Sequence, residues 1–375
     1  MSAALGLVLL FGVLAFGSTE RWALSILQAA IIALAVARPP RVSLALPALP
    51  LLAMAAVAAA QLASGFTEYR FATANELVEW STWLVLFFVA RDALDDGAVR
   101  RRFLRGMLIA GAAIAVLATV QDYTSPGAIY WLFPTRSGRS LGPFVNPDHY
   151  AAFAEALLPI AIFEAVRDRR RAVLWASLGA ALYASVIVGG SRAGALIATA
   201  EILILPPLVA RRWMAGALLA SLAAVATLVA GWELVYRRFQ ESDPLRYRRE
   251  MAQASVEMIR DRPWRGFGMG TFETVHPAYA GFDIGQRIDH AHNDWLEWTA
   301  EGGVPLLATW LALIVWSVRA AWRAPWAWGI HAVFAHGLVD FPMQIPAIAA
   351  VVITLLAALY ASATTGLRSS PSPST

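Results

Sequence analysis

Apolar runs built mainly from Ala, Leu, Val and Ile recur along this chain near residues 3–17, 22–37, 44–63, 77–90, 103–120, 148–166, 172–189, 193–210, 213–231, 294–318, 326–341 and 345–364. Crossing a bilayer takes about 20 apolar residues of α-helix, and only elements that satisfy their own backbone polar groups persist in hydrocarbon. The expectation is an all-α polytopic membrane protein with about twelve transmembrane helices. Composition agrees: 58% of residues are hydrophobic and 15% charged, where a soluble chain carries roughly a quarter charged. Residues 1–365 read as a single transmembrane domain with periplasmic loops 121–147 and 232–293, and 366–375 as a disordered cytoplasmic tail rich in Ser and Pro.

The residue inventory excludes several chemistries. With no cysteine, disulfides, thiolate nucleophiles and Cys-ligated metals are ruled out. The formal charge of +4 is no nucleic-acid signature, so no nucleic-acid partner is expected. All 30 basic residues are arginine, whose planar fork suits bidentate phosphate recognition. The first apolar run lacks a preceding basic region and reads as a transmembrane helix rather than a cleaved signal.

Arginines orient the segments. Arg38 and Arg41 follow the second, and Arg91, Arg100, Arg101, Arg102 and Arg105 follow the fourth. Arg167, Arg169, Arg170 and Arg171 follow the sixth, Arg211 and Arg212 the eighth, Arg319 and Arg323 the tenth. Every even-numbered exit is basic, which places those turns and both termini in the cytoplasm. The other connections face outward, and 232–293 is large enough to fold over the membrane. Within it, Leu245 to Ile259 reads as an amphipathic helix with Leu245, Ala252, Val256 and Ile259 on one face and Arg248, Arg249, Glu250 and Glu257 elsewhere. That pattern also fits a helix lying on the outer membrane surface, in contact with lipid. Gly266-Phe-Gly-Met-Gly270 is a flexible turn; it follows no strand, which rules out a nucleotide-binding loop.

Polar residues gather at the outward helix mouths, and ionisable groups beside hydrocarbon persist mainly where function needs them. His290-Ala-His292-Asn293-Asp294 opens the tenth segment. Asn293 or Asp294 suits an N-cap, and a neutral imidazole there can take a proton from a hydroxyl near neutral pH. No cysteine or third clustered histidine accompanies this pair, so no metal and no cofactor are expected. Glu297 and Glu301, one turn apart, either orient an imidazole or are solvated. In Gly189-Gly-Ser-Arg192-Ala-Gly194, Arg192 either snorkels to lipid phosphates or grips a specific anion that its small neighbours let approach. Asn146-Pro-Asp148-His149-Tyr150 starts the sixth segment, with Asn146 or Asp148 as cap and Pro147 in the first turn. His149 and Tyr150 then point toward the outer space shared with His292. His336 and Asp340, four residues apart, share a face and either glue helices together or line the cavity.

Four stretches resemble the O-antigen ligase family, whose wider superfamily includes O-antigen polymerases and bacterial oligosaccharyltransferases. They are Gly142-Pro-Phe-Val-Asn-Pro-Asp-His-Tyr150; Gly190-Ser-Arg-Ala-Gly194; Arg248-Arg-Glu-Met251 with Ile259-Arg-Asp-Arg-Pro-Trp-Arg-Gly-Phe-Gly268; and His290-Ala-His-Asn-Asp-Trp-Leu296 with Glu301-Gly-Gly303. The resemblance implies metal-independent glycosyl transfer from an undecaprenyl-diphosphate-linked glycan donor at the periplasmic face of a bacterial inner membrane. The acceptor it implies is a sugar hydroxyl, on lipid A-core for a ligase or on a growing glycan for a polymerase. Carried onto this chain, His292 is the general base, while Arg192 and Arg248 hold the diphosphate and stabilise its departure. Arg246 replaces Arg248 if the register is off. His290, Asn293, His149, Asn146, Asp340 and His336 complete the expected substrate contacts. One base without a carboxylate nucleophile implies single displacement with inversion.

Two departures stand out. Asp148 occupies a position where the family more often has Asn. His336 with Val339-Asp-Phe-Pro342 looks more like relatives associated with exopolysaccharide operons, which raises the polymerase alternative. The rival outside this class is a secondary transporter, which calls for broken helices, mid-membrane charges and internal repeats; such charges are few here and no repeat is visible.

Overall fold

The computed structural model describes the chain except residues 136–138, 211–212, 232, 241–245, 282–284, 286 and 369–375. The apolar runs form helices: α1 (Ser2–Leu14), α2 (Arg21–Ala37), α3 (Leu49–Ser64), α4 (Arg70–Ala93), α5 (Gly97–Thr124), α6 (Pro147–Arg167), α7 (Ala172–Gly189), α8 (Arg192–Ala210) and α9 (Trp213–Ala230). After them come α10 (Glu233–Phe239), α11 (Arg246–Asp261), α12 (Phe272–Val275), α13 (Asp294–Gly302), α14 (Val304–Ala321), α15 (Trp328–His336) and α16 (Pro346–Arg368). Among the described residues, six helical stretches are long and apolar enough to cross a membrane: Leu46–Ser64, Gly97–Thr124, Pro147–Arg167, Arg169–Gly189, Val304–Ala321 and Pro346–Thr364. The chain is an all-α membrane protein in its architecture. A two-stranded hairpin, β1 (Ala128–Ile129) against β2 (Phe133–Pro134), lies within segment 121–147. The C-terminal helix runs on to Arg368, so 366–368 are helical where a tail was expected, and 369–375 lie outside the described residues.

The helix α6 is the axis of the fold. It packs against α5, α7, α8, α9, α15 and α16 and is buried over nearly its whole length. Small residues permit this: Ala151, Ala152, Ala154, Ala156 and Ala161 are essentially solvent-free. Asn146 is the N-cap, its side chain accepting from the Asp148 N–H at 2.9 Å, with Pro147 opening the first turn. A cap of this kind contributes about 1 kcal/mol and pins the N-terminal end of the helix.

Two of the expected spans are interrupted. Residues 294–318 break at Gly303, which has φ 86°, and the Val304 N–H turns to the Pro263 carbonyl at 2.8 Å. The tenth expected span is thus two helices, α13 and α14, with chain 263–265 wedged at the joint. Trp298 of α13 stacks on Trp310 of α14 at 4.5 Å, and Trp80 of α4 meets both edge-on. Each such ring pair is worth about 0.5–1.5 kcal/mol beyond area burial. Residues 326–341 likewise hold the end of a 3-10 turn (Pro325–Ala327) and the nine-residue α15 before the chain turns.

The long excursion folds onto the protein. The buried residues of α11 are Glu250, Met251, Ala254, Ser255 and Met258, whereas the expected face was Leu245, Ala252, Val256 and Ile259. Leu245 lies outside the described residues. Met251, Ala254, Ser255 and Met258 follow the helical period, and Met258 joins a small cluster with Phe267, Phe272, Val275, Ala291 and Ala300. The apolar face of α11 is therefore covered by protein, not laid on lipid. Glu250 is tolerated inside because it accepts the Gly281 N–H at 2.8 Å. In the glycine turn, Gly266 has φ 62° and a Cβ there would collide with the Glu301 carbonyl, so the turn serves close backbone packing.

Candidate functional site

Four separate parts of the chain meet at the capped end of α6: the α6 start, α11, the 289–294 segment and the 338–345 turn. Asn293 caps α13, its Oδ1 accepting the Leu296 N–H at 3.0 Å, and its Nδ2 donates to the Leu338 carbonyl at 2.8 Å. Asp294, fully buried, accepts the Met343 N–H at 3.1 Å. These bonds clamp the two loops together and explain why an Asn-Asp pair opens this helix. With both polar atoms so engaged, Asn293 acts here as a clamp.

That clamp sets His292 against Asp340, Nδ1 to Oδ1 at 2.9 Å. His292 has φ 49°, a backbone conformation that L side chains seldom adopt and that marks a constrained position. Asp340 was expected to pair with His336; instead His336 bonds through Nδ1 to Glu155 of α6 at 2.9 Å. Glu155 sits well inside the α6 helix and is fully buried. Arg248 Nη2 lies 3.1 Å from Asp148 Oδ2 and 3.9 Å from Asp340 Oδ2, so α11 delivers a guanidinium to the same spot. Burial alone pushes the Asp340 carboxyl up, but the His292 hydrogen bond, with His149 and Arg248 nearby, holds it well below the usual carboxylate range. Arg246, on the same helix, is exposed.

Two residues on the near side build a second pair. His290 Nδ1 meets Glu297 Oε1 at 2.7 Å, and Glu297 also accepts from the Ala291 N–H and from Gln344 Nε2. Glu297 and Glu301 are both buried, and Glu301 accepts the Phe272 N–H at 2.9 Å; neither is solvated. Burial lowers the affinity of His290 for its proton, yet the Glu297 carboxylate, with Asp289 and Glu301, raises its pKa to about 9. His290 is therefore a cation at neutral pH.

Phe341 stands among three imidazoles. His290 stacks on its face at 4.3 Å, while His149 and His292 meet it edge-on, each at 4.8 Å. His149 is nearly buried and its Nε2 has no hydrogen-bond partner. Asn146, His149, His290 and Phe341 border a cavity of about 1190 Å³ whose other walls include Phe16, Trp22, Glu79 and Phe133. Tyr150, expected to face the same space, is fully buried with its hydroxyl 2.7 Å from Ser185 Oγ; one residue beyond His149, it falls on the packed side of α6.

Arg192 is half-buried in the first turn of α8. The Gly194 that follows packs so closely on α6 that a Cβ would collide with Ala151, and a Cβ at Gly189 would collide with Leu141. The flanking glycines thus have an internal reason, close packing of Gly194 on α6 and of Gly189 on the Leu141 loop. The same packing sets the Arg192 end of α8 beside the α6 turn that carries Asp148 and His149.

Asp148, His336 and Asp340 offer ligand atoms within 4.8 Å of one another, the one group among the described residues with metal-ligand character. Arg248 already supplies a positive charge to two of these carboxylates, and a dication there would have to displace it.

Residues 172–311 match the family model described as O-antigen ligase. This stretch, somewhat over a third of the chain, is similar to that family. The matched region holds Arg192, Arg246, Arg248, His290, His292 and Asn293, while Asn146, His149, His336 and Asp340 lie outside it. No curated protein matches the chain. The O-antigen ligase family comprises glycosyltransferase-type ligases and polymerases, which use lipid-linked glycans and glycan acceptors in general. Phe341, Glu155 and the Asp340–His292 link were not foreseen from sequence. An aspartate just past an apolar helix, followed by Phe-Pro, was the available signal for two of them.

Proposed function

We propose that this protein transfers a glycan from undecaprenyl diphosphate to a sugar hydroxyl of an acceptor such as lipid A-core, with inversion and without a metal. The observation that carries the reading is the His292–Asp340–Arg248 arrangement: an imidazole held through Nδ1 by a buried carboxylate, with a guanidinium at 3.9 Å from that carboxylate. With Nδ1–H donating to Asp340, Nε2 is the nitrogen that takes the acceptor hydroxyl proton as its oxygen attacks the anomeric carbon. The bond to the diphosphate oxygen breaks in the same step, and Arg248 together with Arg192 stabilises the negative charge that collects there. His290, a cation, adds to that field and is not the base. The cavity walled by Trp22, Phe16, Phe133 and Glu79 receives the acceptor sugar.

The topology we assign is about twelve membrane segments, both termini cytoplasmic, and the outer segments 121–147 and 232–293 in the periplasm beside a bacterial inner membrane. The basic even-numbered exits support it. The polymerase reading shares all of this chemistry and rests on the Val339-Asp-Phe-Pro342 turn, whose Asp340 holds the base. In vitro transfer with purified protein, a lipid-linked glycan and rival acceptors decides: one capped product on lipid A-core identifies a ligase, and a ladder of free repeats a polymerase. No product from either, with folded protein, would sink the enzymatic reading and favour transport. Activity abolished by a chelator and restored by a divalent cation would sink the metal-free step.

A further inference from the structure

The other end of α6 lies about 30 Å away along its axis and is of opposite character. A cavity of about 790 Å³ is bordered there by Arg100, Arg101, Arg102, Arg105, Arg167 and Arg323, against the single lining carboxylate of Glu164. Arg101 and Arg105 are engaged with Glu164, and Arg105 also with Asp168 at 3.3 Å. Arg100 donates to the Leu94 and Asp95 carbonyls. The side chains of Arg102 and Arg323 form no hydrogen bond or ion pair among the described residues, and Arg105 Nε is buried without an acceptor. Positive charge at this end is ordinary for topology; Arg102 and Arg323 are exposed, at the open side of the space. The arginines line one concave space whose remaining wall is mostly apolar, including Leu104, Ile160, Phe163 and Trp326 beside Ser362.

Arg102 borders a second space as well. Between α1 and α5 runs an apolar groove of about 550 Å³, lined by Leu7, Leu10, Val13, Phe103, Met107 and Ile114 among others, with Gly6, Gly106 and Ala110 keeping it open. On α1 it extends from Ser2 to Val13 and on α5 from Val99 to Ile114, roughly 17–22 Å of helix, against about 15 Å for one leaflet's hydrocarbon. A Cβ at Gly106 would have nothing within 4 Å.

We propose that these two spaces form one binding site for an anionic phospholipid, its phosphate headgroup among the arginines and an acyl chain in the α1/α5 groove. Charge complementarity selects the headgroup: a cationic pocket between membrane helices offers guanidinium forks that fit phosphate oxygens two at a time. The groove selects a molecule with a chain, so free phosphate or a nucleotide satisfies only half of the site. The site stands apart from the His292 centre and does not depend on the proposed transferase reaction.

The test uses the full-length protein in phosphatidylcholine nanodiscs containing phosphatidylglycerol, with bound lipid counted by native mass spectrometry after release. Wild type is expected to retain phosphatidylglycerol in preference to phosphatidylcholine. Arg102→Ala with Arg323→Ala should weaken that preference on the order of tenfold, from loss of two headgroup charges. Gly106→Leu should fill the groove and lower retention while leaving Tm unchanged, because the added side chain meets open space. A phosphatidylglycerol with a photoreactive acyl chain should label α1 and α5 peptides. Equal retention in wild type and both variants, labelling elsewhere, or full displacement by inorganic phosphate would each overturn the proposal, the last by reducing the site to a bare anion pocket.

Discussion

His290 and His292 stand two residues apart, each bonded through Nδ1 to a nearly solvent-free carboxylate, and both touch Phe341. The difference lies in what else claims each carboxylate. The other donors to Glu297 are neutral, the Ala291 N–H and Gln344 Nε2, so its charge acts on His290 and keeps that ring protonated up to pH about 9. Asp340 divides its charge between His292 and Arg248. The two histidine–carboxylate pairs thus differ in their surroundings: a guanidinium stands beside the Asp340 pair, and only neutral donors beside the Glu297 pair.

The sharpest way to break this comparison is to remove each imidazole in turn. His292→Ala should lower transfer by about 10²–10⁴-fold, the usual worth of a general base, while His290→Ala should cost far less in kcat. Initial rates on purified protein with a lipid-linked donor measure both; equal losses would erase the distinction. Next in size is Arg248→Lys, which keeps the charge but loses the fork. It should cost on the order of 10²-fold in kcat/KM if the guanidinium binds the leaving diphosphate, and a near-normal value would assign Arg248 a purely structural ion pair with Asp148.

The fixed-cation half of the comparison has its own signature in pH. The folded-state pKa of His290 is raised from 6.5 to about 9. Its contribution to stability is therefore fully present below about pH 6.5 and lost as pH rises through about 9. At a side chain 29% exposed this is on the order of 1–2 kcal/mol after solvent screening. The Tm difference between wild type and His290→Gln should shrink across that interval, and a constant difference would refute the assigned cation. The smallest expected effect is that of Phe341→Leu, which removes the ring shared by three imidazoles. A loss of about three- to tenfold in kcat with KM unchanged is expected, the worth of an aromatic contact; no change would mean the clamp through Asn293 and Asp294 positions His292 unaided.

Much of the frame was legible in the residues. The apolar runs announce helices because hydrocarbon leaves the backbone no other partner, and α6 through α9 fall close to where those runs predict. The N-caps at Asn146 and Asn293 follow from a side chain that reaches its own helix start, a local interaction. The breaks at Gly303 and after His336 were not legible, since a continuous apolar run does not reveal that chain 263–265 wedges into it. The buried face of α11 was misjudged for the same reason: its covering cluster comes from residues 267–300, distant in sequence.

Sequence alone determined that this chain belongs in a membrane, which residues stand at its helix mouths, and that His290, His292 and the arginines are the groups with chemistry to offer. Those conclusions rest on side-chain type and spacing, properties each segment carries by itself. Partnership was decided only in three dimensions. Asp340 could serve His336 or His292, and packing of α6 against α15 gave His336 to Glu155 and left Asp340 for His292. Such choices turn on distances of a few ångströms between segments nearly fifty to two hundred residues apart, and no local pattern records them, because an ionic hydrogen bond is made or lost over a shift smaller than one side chain.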